Sequence, residues 1–79
     1  MNPLYTKLAQ IAYDTVLQTM MEGEKKHGAN GWKEKDIDYH FAHALEHIAN
    51  WELQENEEDN LAHAITRLTM IKYLEDNHE

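Results

Sequence analysis

Apolar positions along the chain recur at helical rather than strand spacing. Leu4, Leu8, Ile11, Thr15 and Val16 fall on one face, while Tyr13, Leu17, Met20 and Met21 carry apolar character onto a second. The spacing predicts a helix A over residues 4–26, with Pro3 tolerated in its first turn and Asn2 as its cap. Gly28, Asn30 and Gly31 then break the pattern, because glycine and asparagine accept positive φ more readily than other residues, so 27–35 reads as a loop. Helix B is expected over 36–54: Asp36 and Asp38 suit the positive end of a helix dipole, and Ile37, Phe41, Ala44, Ile48 and Trp51 form its stripe. Helix C is expected over 58–75, capped by Asp59 or Asn56, with Leu61, Ala64, Ile65, Leu68, Ile71 and Leu74 as its stripe. The short B–C connection makes those two helices antiparallel. The fold class expected is all-α, one domain over 1–79: a helical hairpin with a long N-terminal helix packed across it.

Size changes that picture. A chain of 79 residues buries only about 60% of the surface its unfolded form exposes. With no cysteine it has no disulfides, no thiolate chemistry and no Cys-based zinc site, which fits a reducing cytoplasm, that of a bacterial host or infected cell. Helix A, apolar on two sides, needs two partners. A homo-oligomer that completes the core across subunits is therefore expected. No basic start leads into an unbroken apolar stretch, and no run approaches the roughly 20 apolar residues that cross a bilayer, so no membrane partner is expected. The formal net charge of −8 argues against DNA or RNA, whose binding depends on Lys and Arg displacing counterions.

Against that acidic background, four of the seven basic residues lie close together: Lys25, Lys26, Lys33 and Lys35. This local island points to an anionic ligand, although a solvated loop would carry the same charges. On helix B, His40, His43 and His47 share a face, and His43-Ala44-Leu45-Glu46-His47 matches the H-x-x-E-H zinc pattern. His63 is the obvious third donor. Such histidines are more often packing groups whose second nitrogen reaches a carboxylate. Glu52, Glu55, Glu58 and Asp59 gather at the B–C junction, where carboxylates can hold Mg²⁺ against phosphate oxygens or merely compensate helix dipoles. Of the tryptophans, Trp51 falls on the helix B stripe and is expected in the core. Trp32 lies in a glycine-flanked loop and is expected to be free to stack on a ligand.

Taken in order, Gly23 with Lys25, Lys26 and Gly28, then Asn30 and Trp32, His47 and Trp51, Glu55, and Leu61-Ala62-His63-Ala64 resemble the small phage and bacterial dATP/dGTP diphosphohydrolase-like proteins. These are similar to all-α, MazG-type NTP pyrophosphohydrolases. The family's pattern looks like Gly-x-Lys-Lys-Tyr-Gly with Asn-Trp, Arg-His with Trp four residues later, Gly-Glu with a nearby Asp, and Leu-Ala-His-Ala. This chain departs from it at His27, inserted Gly31, Glu46 in place of Arg, and Gln54 in place of Gly. Replacing Arg by Glu removes a bidentate phosphate donor.

The resemblance implies a nucleotide site. Lys25, Lys26 and Arg67 would meet phosphates, Trp32 or Trp51 would stack on a base, and Asn30, His47 and His63 would contribute the remaining contacts. MazG-type hydrolases are expected to hold Mg²⁺ between an E-x-x-E pair and an E-x-x-D pair; Glu52-x-x-Glu55 supplies the first, and helix C has no acid between Asp59 and Glu75 to supply the second. Three readings follow: an anti-defence sponge that sequesters a nucleotide or nucleotide-derived immune signal at oligomer interfaces, a Mg²⁺-dependent (d)NTP pyrophosphohydrolase using Glu52, Glu55, Glu58 and Asp59, and an acidic protein-binding adaptor or nucleic-acid mimic.

Overall fold

The computed structural model describes residues 1–77 as three α-helices: α1 (Pro3–His27), α2 (Ile37–Glu52) and α3 (Asn60–Asp76), with a 3₁₀ turn at Gly31–Glu34 between the first two. Among the described residues there is no strand. Each helix starts on a side-chain cap. Asn2 accepts from the Leu4 amide at 2.9 Å, Asp36 from Tyr39 at 2.9 Å, and Asp59 from Ala62 at 3.0 Å, which satisfies amide donors that the first turn leaves orphaned. α1 stops at Gly28, whose φ of +81° is open to glycine and whose N–H bonds the Glu24 carbonyl. Gln54 turns the chain out of α2 at φ +62°. A non-glycine residue there costs about 1 kcal/mol, which is a physical reason for a glycine at this place in the resembled pattern.

α2 and α3 are antiparallel, because the position that α2 meets on α3 falls as α2 advances: His40 reaches Arg67, and His47 reaches Asn60 and His63. α3 is the central element. α2 packs along one side of it and α1 along another, while α1 and α2 scarcely touch. The long N-terminal helix therefore lies on α3 alone and not across the hairpin. The reason is visible in α3, whose covered positions from Ala62 to Arg67 run around the helix rather than along one stripe.

The inward face of α2 also differs from the expected stripe. His40, His43, Ala44 and His47 turn toward α3, whereas Phe41, Leu45 and Ile48 face out. Hydrogen bonds decide the orientation: the imidazoles find partners on α3 and on the 3₁₀ turn that apolar side chains could not use. The tryptophans exchange roles as well. Trp51 is 54% exposed, while Trp32 is half-buried, edge-on to Tyr73 at 5.4 Å and to His40 at 6.4 Å. The only buried apolar side chains among the described residues are Ala44 and Ala64.

Candidate functional site

The chemistry gathers on the α2–α3 seam. At its α2 C-terminal end, Asn60 is 4% exposed and donates its amide to the Glu55 carbonyl at 3.0 Å. That fixes its Oδ1 as the acceptor facing His47, whose Nδ1 stands 2.9 Å away. Glu58 Oε1 approaches the same nitrogen at 3.2 Å. With two acceptors against it, Nδ1 carries the hydrogen and donates, and in the neutral ring Nε2 keeps the lone pair. His63 stacks on this imidazole, centroids 4.9 Å apart and planes within 19°. His47 is thus an oriented imidazole with one nitrogen left to accept a hydrogen bond. Its partners Asn60 and Glu58 also wall a groove of about 570 Å³, with Trp51, Glu55, Asn56 and Asp59; His47 itself is not part of that wall.

At the other end of the seam His40 is fully buried and spoken for on both nitrogens. The Trp32 carbonyl, 2.9 Å from Nε2, can only accept, so Nε2–H donates to it. Nδ1, 2.9 Å from Arg67, must then accept from the guanidinium. Burial lowers the His40 pKa from its ordinary value; the Trp32 bond opposes this, Arg67 and His43 add to the lowering, and Asp36 weakly counters it. Arg67 also lies over the Tyr39 ring at 5.6 Å, where Lys35 approaches at 5.2 Å. Among the described residues no carboxylate pairs with Arg67. The Trp32 Nε1–H is buried without a partner, at a cost of about 1–3 kcal/mol.

The structure brings some of the expected site residues together and leaves others apart. His47, His63 and Glu58 meet, and Glu55 joins them through its carbonyl. Arg67 and Trp32 meet through His40. Lys25 and Lys26 are exposed in the last turn of α1, and Asn30 is exposed in a left-handed conformation before the 3₁₀ turn. Of the four carboxylates, Glu52 is exposed at the end of α2, Glu58 is drawn to His47 and Asp59 caps α3. Among the described residues no three His, Asp or Glu side chains converge as a metal site. Among the described residues no helix is long and apolar enough to cross a membrane. Sequence reasoning missed Asn60 as the residue that orients His47; its signal was its place directly after the capping Asp59, where an amide at the helix start can reach back across the turn.

A family model described as dATP/dGTP diphosphohydrolase, N-terminal, matches residues 2–79. No curated protein and no solved structure shows a match.

Proposed function

From the premise that the chain belongs to the dATP/dGTP diphosphohydrolase N-terminal family, we propose that it binds a purine nucleotide, or a signal derived from one, and holds it unhydrolysed within a homo-oligomer. The observation that carries this reading is the way Glu58 and Asp59 are committed. One leans on His47 and the other caps α3, so two of the four acids expected to hold a catalytic cation are engaged within the single chain, which leaves Glu52 and Glu55. What remains available suits binding. His47 Nε2 accepts a hydrogen bond, Trp51 offers an exposed ring at the groove edge, and Lys25, Lys26 and Arg67 supply positive charge for phosphates. A phage-encoded sponge against a nucleotide-based immune signal is the biological role that fits such retention in a bacterial cytoplasm.

Incubation of the purified protein with dATP, dGTP and cyclic or ADP-ribose-derived nucleotides, with and without Mg²⁺, then heat release and chromatography, tests this reading. Intact nucleotide recovered only after denaturation is the expected result. The family match itself favours a second reading, Mg²⁺-dependent conversion of a (deoxy)nucleoside triphosphate to monophosphate and pyrophosphate. Those products, lost in Glu55→Gln, would establish it and sink the sponge.

A further inference from the structure

The chain exposes 6514 Å², whereas a folded monomer of 9.3 kDa is expected to expose about 5,000 Å². The excess of about 1,500 Å² per chain, buried in a dimer, would give an interface in the range of obligate complexes. Two apolar surfaces that contribute to it lie in separate places. The first half of α1 is exposed throughout, with Leu8 63% open. Leu4, Leu8 and Ile11 continue, toward the N-terminus, the line that packs on α3 through Thr15, Val16 and Thr19. The second place is the outer stripe of α2, where Phe41, Leu45 and Ile48 recur at i, i+4 and i+7 and Phe41 is 50% exposed.

Charge marks the first of these as a surface made to be covered. Residues 3–21 contain two charged side chains, Lys7 and Asp14, in a chain that is 28% charged. Those two stand seven residues apart and so share one face. Interface cores are depleted in charge in this way, whereas a solvated helix is not. Within one chain the two stripes do not meet, because α3 separates α1 from α2.

We propose that the outer stripe of α2 receives the N-terminal half of α1 from a second copy, each copy giving α1 and receiving on α2. This rests on the oligomeric part of the proposed function and is independent of what nucleotide is held. The exchange is isologous, so it closes at two copies and leaves neither stripe in water. It also bears on the site. A helix laid along Phe41, Leu45 and Ile48 reaches Trp51 one turn further on, so the groove wall at Trp51 is complete only when the partner is present.

Sedimentation equilibrium with circular dichroism tests the exchange. The wild-type chain is expected to be a helical dimer. Leu8→Glu and Leu45→Glu, each placed on a residue open to water in the single chain, should each weaken association by about 30-fold or more, with helix lost alongside if folding and pairing are coupled. Gln18→Glu, exposed on the polar side of α1, should leave the dimer intact. A helical wild-type monomer overturns the proposal, as does an unchanged dimer in both variants, or disruption by only one of them, since reciprocal contact requires both stripes. A wild-type dimer that takes up no nucleotide would leave this interface standing and sink the nucleotide reading alone.

Discussion

His40 and His47 lie two turns apart on the same face of α2, yet their surroundings give them opposite freedoms. His40 is sealed: a carbonyl takes the hydrogen of one nitrogen and a guanidinium donates to the other. His47 is anchored on one side only, with Asn60 and Glu58 against Nδ1 and the far nitrogen committed to nothing among the described residues. Residue type and helix face are the same. The neighbours across the seam decide which imidazole is structural and which is available for chemistry, and the decisive neighbours are a carbonyl from the 3₁₀ turn and a buried asparagine amide.

Removing the sealed ring should cost the most. His40→Ala leaves the Trp32 carbonyl and the half-buried Arg67 guanidinium without their partner and opens a hole beside Ala44. About 3 kcal/mol of stability should be lost, read as a lower urea midpoint at fixed protein concentration. A loss below about 1 kcal/mol would mean that water replaces the ring freely and that His40 is not sealed. On the other side of the comparison, Asn60→Leu should cost about 2 kcal/mol, because the Glu55 carbonyl and His47 Nδ1–H lose a buried partner while Glu58 remains to accept. Its sharper readout is the His47 tautomer by ring nitrogen NMR. The wild type should hold hydrogen on Nδ1, and the leucine variant should mix tautomers; an unchanged tautomer would assign the orientation to Glu58 instead.

How far the sequence disclosed these two ends follows from what each depends on. Helix limits were legible within two residues, because Asn2, Asp36 and Asp59 are local caps and Gly28 is a local stop. The face that α2 buries was not. Its apolar stripe and its histidine face compete for α3, and hydrogen bonds to Arg67 and Asn60, 27 and 13 residues away, settle the contest. Periodicity counts apolar side chains and is blind to such pairings, which is also why Trp51 read as core and Trp32 as free. His47, His63 and Glu58 were legible as candidates, but the amide that orients them was not, since its role exists only once the turn from Glu55 to Asn60 is closed.

The smallest expected effect is also the most specific to the sealed ring. Burial and the Arg67 guanidinium hold the His40 pKa below its ordinary 6.5, so between that lowered value and about 6.5 the unfolded chain binds a proton that the folded chain refuses. Stability then rises with pH across this window. His40 contributes its full share above about pH 6.5, and the share is lost as pH falls toward the lowered folded value, with a slope of at most about 1.4 kcal/mol per pH unit. His43, Arg67 and Asp36 all act on the ring, so the measurement is a difference. Urea midpoints of the wild type and of His40→Gln, whose amide can donate to Trp32 and accept from Arg67 without titrating, are compared from pH 7.5 down to 4.5. The two curves should run parallel above about pH 6.5 and diverge below it, the wild type falling faster; curves that stay parallel would show that a proton enters the seam at His40 as readily as it does in the unfolded chain.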